Sequence, residues 1–561
     1  MQYCLGTRFY SKSSTTITGM DGAATTSTMG TNSRPTDGKR QTSVVSAATI
    51  LMAGFLLSRL LGILRVTIQG RVLGVHGVDA TAFTTAIAIP DFVFTIVSGG
   101  AVASSFIPIF IDLLNRDDEE RAWRVASGVL NIVLFVLLVA VSIAEVGAPD
   151  ILRFMHGYSY QALTLTRIML LQPLFLALSG ILMGIHNSYH RFIAPAVAPL
   201  VYNAANIIGL LLIPVFGYNL APAAWGVTVG ALLQVLVMLP GLALFRQVVR
   251  PGSGIGDPGT REVGRLMVPR VVGQAGIQFS GLVTIALANG FTVDKPAAAI
   301  RTAGYLFALP VGMFGGAVAT AAFPTLAGQA ARNEFTALGV TISRTLRTML
   351  FLATPAAIAL IVLRHPLVDV LLRGGRFDAH DVDLVTAALV PYAAGIPVWT
   401  AVELLPRAFF ALKDTWTPVL VNIVTLIITV ICSVVGVRLA AGNSIVGVAL
   451  LTGSLSLGVV FEVVWLGLLL RRRVRNLGLR DLGLSCLRSL VAGEAMGVTL
   501  LALLYLWYRY APSGNSILGE AALLCIAIPL GIGVYAGWSY VIGAPELATA
   551  WAATCARLRR H

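Results

Sequence analysis

Fourteen runs of about twenty apolar residues follow one another along this chain, separated by short polar loops, and nothing constrains its fold more. A soluble core cannot bury so many wholly apolar segments. At 1.5 Å per residue, each run is long enough to cross a hydrocarbon layer of ~30 Å as a helix. The runs lie near 44–72, 80–110, 123–147, 160–186, 192–216, 220–245, 264–291, 297–327, 340–363, 383–411, 417–437, 444–470, 485–507 and 516–541. Inside lipid every backbone amide needs a partner within its own segment, which helices supply. The expected fold class is therefore an all-α polytopic membrane protein with about 14 transmembrane helices. Composition agrees: 56% of the 561 residues are hydrophobic, 12% are charged, and the mean hydropathy is +0.82.

The net charge of +14 would elsewhere raise nucleic acid as a partner. Here the basic residues form small clusters in the loops and no single stripe, so no nucleic-acid partner is expected. If the N-terminus is cytoplasmic, 26 of the 40 basic residues fall on that side and 7 on the other. The positive-inside bias then predicts cytoplasmic N- and C-termini. Residues 1–43, rich in Ser, Thr and Gly, read as a disordered tail. Cys4, Cys432, Cys486, Cys525 and Cys555 form no CxxC pair and no Cys/His cluster, so neither a metal site nor a disulfide is expected. No phosphate-binding Gly-rich loop with its lysine occurs, which excludes direct use of ATP. No catalytic constellation stands out, so the chain reads as no enzyme and no cofactor is implied. "GGRFDAHDVD" at 374–383 mixes acids and His, and is read as a solvated turn in preference to a metal site.

The chain repeats itself. "GGAVASSFIP" at 99–108 returns as "GGAVATAAFP" at 315–324, and "APLVYN" at 198–203 as "TPVLVN" at 417–422. The two offsets are nearly equal and each covers six spans. An even number of spans keeps both copies in one orientation, related by a pseudo-two-fold along the membrane normal. The expected organisation is a tail (1–43), an N-lobe (44–250), a C-lobe (251–471), and a last segment (472–561) with spans 13 and 14 and a basic tail.

Charges inside the spans carry the functional argument. An arginine in the bilayer costs at least a few kcal/mol and is a functional hypothesis by default. Arg71 and Arg167 lie near span ends, where they can snorkel. Arg407 follows Glu403 by one turn, the spacing of a local ion pair. Arg59 and Arg65 in span 1, Arg270 in span 7 and Arg301 in span 8 are not so easily dismissed. Guanidinium groups facing a shared cavity bind a phosphate or diphosphate through paired donors. The alternative is structural pairing with carbonyls or carboxylates. Arg59 and Arg65 are six residues apart and point in different directions around a straight helix. They require a bend near Gly62 or a cavity wide enough for both.

"SRLLGILR" with "GVDATAFTTAIAIPDFVFTIVSGGAVASSFIPIF", then "HNSYHRFIAPAVAPLVYN", "LLRGGRFDAHDVDLVTAALVPYAAGIPVW" and "RAFFALKDTWTPV", resemble segments of the MurJ (MviN) family of lipid II flippases, in the multidrug/oligosaccharidyl-lipid/polysaccharide exporter superfamily. The resemblance covers about 44–545. It implies two six-helix lobes around a central cavity, alternating access, and outward transport of an undecaprenyl-diphosphate-linked peptidoglycan precursor. It also implies the bacterial inner membrane as the location, a lipid-linked sugar as the substrate, and cell-wall synthesis or division proteins as partners. By resemblance, Ser58, Arg59 and Arg65 match cavity-facing positions of span 1, Asp79 matches an acid opening span 2, and Asp414 matches an acid implicated in sodium binding. The chain departs from the family pattern at Val66, Phe94, Thr95, Gly99, Gly304, Tyr305 and Ala308, which leaves fewer cavity charges. A flippase for another polyprenyl-linked glycan, and a non-transporting scaffold, therefore stay open as alternatives.

Overall fold

The computed structural model describes residues 54, 57–98, 101–189, 191–242, 254–291, 294–474, 477–510 and 516–547. The expected tail at 1–43, the start of the first span and the basic C-terminal segment lie outside the described residues. Thirteen helical segments are long and apolar enough to cross a membrane, and they coincide with the second to fourteenth runs of the sequence. The described part of the first run, α1 (57–73), is also helical. Among the described residues there is no strand beyond one isolated bridge between Gly374 and Phe377.

The first half continues with α2 (Val78–Ser98), α3 (Ala101–Asn115), α4 (Glu119–Phe154), α5 (Tyr160–Met169), α6 (Gln172–Ser188), α7 (Ile193–Leu211) and α8 (Ala221–Leu242). Then come α9 (Pro258–Asn289), α10 (Ala297–Pro310), a π-helical segment (Val311–Gly316) and α11 (Ala317–Ala331). The remainder is α12 (Phe335–Val362), α13 (Arg364–Leu372), α14 (Ala379–Ala411), α15 (Trp416–Leu439), α16 (Ser444–Arg473), α17 (Leu479–Tyr510) and α18 (Ile517–Val541). The second copy of the repeated Gly-Gly motif, Gly315–Gly316, falls in the π segment that interrupts the helix between α10 and α11, whereas the first copy, at 99–100, lies outside the described residues. A π-helical turn is a frequent mark of a functional site.

Side-chain placement is inverted relative to a soluble protein. Phe135 is 68% and Val146 82% exposed on α4, while Thr166, Asp381, Thr400 and Thr452 are almost fully buried. With no water to drive helices together, small residues set how closely they approach. α7 and α8 meet at Gly209 and Gly226. A Cβ on Gly209 would stand 2.6 Å from the Pro222 carbonyl oxygen and 2.9 Å from the Gly226 Cα. α14 contains three prolines, and neighbouring hydroxyls serve carbonyls near the breaks. Ser456 Oγ donates to the Pro391 carbonyl at 3.0 Å and Thr400 Oγ1 to that of Pro397 at 2.7 Å. α14 lies at the middle of the second half, packed against α10, α12, α13 and α16. α9 packs on α2, α3 and α4 as well as on α15 and α16, so it bridges the halves of the sequence. α17 and α18 pair with each other and attach through α12 and α13.

The turn between α1 and α2 is tied to distant segments. Gly74 adopts φ +69°, and a side chain there would meet the Arg376 carbonyl oxygen and the Asp381 carboxylate, each at 3.1 Å. This close approach lets the Arg376 amide donate to the Arg71 carbonyl at 2.7 Å and the Val75 amide to Asp381 Oδ1 at 3.2 Å. His76 Nδ1 lies 2.5 Å from the same carboxylate oxygen, and Asp79 pairs with Arg376 at 2.7 Å. Beside them His380 Nε2 stands 3.1 Å from Asp294 Oδ2, which also accepts from Ser444 Oγ at 2.5 Å. The segment 374–383 is therefore no merely solvated turn. Asp378 and Asp381 form a capping box that starts α14, and Asp381 has no exposed surface. Asp381 is consumed by this work: Oδ1 serves Val75 and His76, and Oδ2 accepts from the Asp378 amide at 3.3 Å.

Candidate functional site

A cavity of about 430 Å³ opens beside α1. Ser58, Arg59, Gly62 and Arg65 line it from α1, Pro199 from α7, Tyr305 and Ala308 from α10, and Leu371 and Leu372 from α13. The wall is mostly apolar, with the guanidinium groups as its principal charges. Both Arg59 and Arg65 border this space, and a Cβ on Gly62 would touch nothing within 4 Å. The room around Gly62 thus accommodates side chains that leave the helix at different angles. Arg59 reaches towards the π segment, where a Cβ on Gly312 would lie 3.4 Å from its terminal nitrogen.

Arg65 is the more confined of the two. Its Nε is buried without a hydrogen-bond partner among the described residues. A buried N–H left in this state costs roughly 1–3 kcal/mol. The Arg65 guanidinium carbon lies 5.7 Å from the centre of the Tyr305 ring.

Of the other expected site residues, Arg301 has a definite assignment. Its Nη2 donates to Asp91 Oδ2 of α2 at 2.5 Å, and its Nε to the Tyr305 hydroxyl at 3.2 Å. It is part of an ion pair behind the cavity wall and does not line the cavity. Asp79 pairs with Arg376 at the start of α2 and likewise does not line it. The side chain of Arg270 lies outside the described residues. Asp414 accepts from the Thr417 amide at 3.0 Å and hydroxyl at 2.6 Å, and pairs with Arg473 at 2.7 Å. Burial would raise its carboxyl pKa, but the Thr417 hydrogen bonds and the Arg473 charge hold it below the ordinary carboxylate value. The bonds to Thr417 serve the first turn of α15 and occupy both oxygens. Arg407 pairs locally with Glu403 at 3.3 Å, as its spacing implies, and also donates to the Gly316 carbonyl. Arg167 finds Glu145 at 2.8 Å.

Two residues of this site escape a scan for intramembrane arginines. Asp91, directly after Pro90, is an acid in the middle of an apolar run, and that position is itself a signal. Tyr305 gives no such signal, because only folding brings it between Arg65 and Arg301.

The fold is that of a multi-pass helical membrane protein with a cation-bearing cavity. It resembles a solved lipid II flippase MurJ in an inward closed conformation, with a TM-score of 0.69 and 21% identity over 88% of this chain and 98% of that one. It also resembles an inward-facing multidrug resistance MATE family transporter of the MOP superfamily, with a TM-score of 0.60 and 14% identity over 73% and 95%. The model of the family "Lipid II flippase MurJ" matches residues 71–517. Among curated relatives, the lipid II flippase MurJ of Burkholderia cenocepacia is 30% identical over 408 residues, 70% of this chain and 78% of its own. The probable lipid II flippase MurJ of Bdellovibrio bacteriovorus is 27% identical over 514 residues, 90% and 96% respectively. The chain belongs to the MurJ family of lipid II flippases. It is a multi-pass membrane protein of a transporter family.

Proposed function

We propose that this chain carries lipid II, the lipid-linked peptidoglycan precursor for which its relatives are named, from the inner to the outer leaflet of the bacterial inner membrane by alternating access. The observation that carries the reading is Arg65, an intramembrane arginine that lines the cavity together with Arg59. Arg59 and Arg65 hold the diphosphate, and Ser58 adds a hydroxyl at the same wall. Arg301 is neutralised by Asp91, so Arg59 and Arg65 are the cationic side chains that line the cavity itself. A diphosphate esterified at both ends carries about two negative charges. The planar guanidinium forks suit its oxygens.

The moving parts are an N-lobe (44–250) and a C-lobe (251–471), with 472–561 attached at the side and both termini in the cytoplasm. In this orientation the ties among His76, Asp79, Arg376 and Asp381 belong to the outer end. The chain performs transport and no bond-making chemistry. Membrane potential or an ion gradient is its energy source; moving one charge through 100 mV yields about 2.3 kcal/mol. The test is complementation of a bacterium depleted of its own flippase, with lipid II translocation measured in vesicles of the purified full chain. Growth with translocation supports the proposal. Folded, membrane-inserted protein that does neither refutes it.

A further inference from the structure

The Asp91–Arg301–Tyr305 group holds more order than packing needs. Asp91 lies on α2 and Arg301 on α10, 210 positions apart, yet they meet at 2.5 Å. Arg301 uses Nη2 on Asp91 and Nε on the Tyr305 hydroxyl, so its planar fork fixes the phenol oxygen from one side. A tyrosine hydroxyl offers one O–H donor and two lone pairs. The Arg301 N–H takes a lone pair, polarises the O–H, and leaves its proton to be donated elsewhere. Among the described residues no acceptor for that proton lies within hydrogen-bonding distance of Tyr305. Tyr305 itself lines the cavity, with the guanidinium of Arg65 5.7 Å from its ring centre. Tyr305 and Arg65 therefore line the same cavity, and the Tyr305 hydroxyl, which accepts from Arg301 Nε, keeps its own proton to donate.

We infer that Tyr305 donates its hydroxyl proton to the same anionic headgroup that Arg65 receives, with Arg301 and Asp91 as the positioning pair that aims it. The inference rests on the proposed diphosphate reading of the cavity and adds a neutral donor to it. The arrangement strengthens the hold on an anion without adding a further net charge, because Asp91 cancels Arg301. Tyr305 thereby favours a ligand that presents two oxygens side by side, as a diphosphate does.

The experiment measures binding of a fluorescent, short-chain lipid II to the purified full chain in nanodiscs, with the folded fraction determined for every variant. Tyr305→Phe keeps the ring and its stacking against both guanidinium groups, and removes only the hydroxyl. It is expected to weaken binding about tenfold or more, the scale of a hydrogen bond to a charged group. Arg301→Lys and Asp91→Asn weaken binding in the Tyr305 background and add little once Tyr305 is Phe, because they act through the hydroxyl. A purely structural pair would lower the folded fraction and leave affinity per folded molecule intact. Unchanged affinity of Tyr305→Phe, or full additivity with Arg301→Lys, overturns the inference. Arg59→Ala and Arg65→Ala separate the two levels. If both weaken binding while Tyr305→Phe does not, only the Tyr305 inference falls. If neither does, the diphosphate reading itself falls.

Discussion

Replacing Arg65 with methionine separates a substrate arginine from an architectural one. Methionine keeps much of the stem's apolar volume and removes the guanidinium. In the structure that group makes no hydrogen bond through Nε, which is buried at the edge of a cavity of about 430 Å³. The unbound protein therefore carries a desolvated donor at a cost of roughly 1–3 kcal/mol. Removing it should leave the folded protein as stable as before, or slightly more so. In the complex the same group makes a charge-assisted contact worth about 1.5–3 kcal/mol, so its loss should weaken substrate interaction roughly ten- to hundredfold. Arg65→Lys restores the charge without the fork and should fall between the two. The assay is translocation of fluorescent lipid II in vesicles, expressed per folded molecule, alongside thermal unfolding of the same preparation. The expected signature is unchanged melting with reduced transport. Reduced melting with normal transport per molecule would refute the reasoning and make Arg65 a structural residue.

Further outcomes follow from the same coordinates. Burial pulls the His76 pKa down, but the hydrogen bond and charge of Asp381, with Asp378 and Asp294, outweigh it and set the pKa above the ordinary 6.5. Its contribution to stability should be fully present below that ordinary value and lost as pH rises through the raised one. Unfolding temperatures of the wild type should therefore fall across this window, and those of His76→Gln should fall less. Gly209→Val should destabilise the protein by roughly 1–3 kcal/mol through its clash with the Pro222 carbonyl, read as a lowered unfolding temperature, while Gly62→Ala should not. The proposed cytoplasmic placement of both termini predicts that a cysteine at Tyr160 is labelled by an impermeant reagent in intact cells. One at Arg116 should be labelled only after permeabilisation.

Much of the architecture was legible in the sequence because lipid imposes a strict rule. A segment that crosses hydrocarbon must be apolar for about twenty residues and must pair its own amides. Thirteen apolar runs accordingly coincide with thirteen helical segments, and the Glu403–Arg407 pair follows from a one-turn spacing. These features depend on local spacing, which a sequence contains in full. The site depends on which charges meet, and that is decided by side chains hundreds of positions apart. Arg59, Arg65 and Arg301 look alike as intramembrane arginines. Only the packing of α10 against α2 brings Asp91 to Arg301, 210 residues away, and leaves Arg65 at the cavity without a partner for its Nε. Similarly, 374–383 reads as a solvated turn until the α1–α2 turn, 306 positions before Asp381, lies over it and buries that carboxylate. The sequence by itself determined that a row of helices would span the membrane and which of them would carry charge. The tertiary structure decided which charges are neutralised and which line the cavity, because a Coulombic partner is chosen by distance in space.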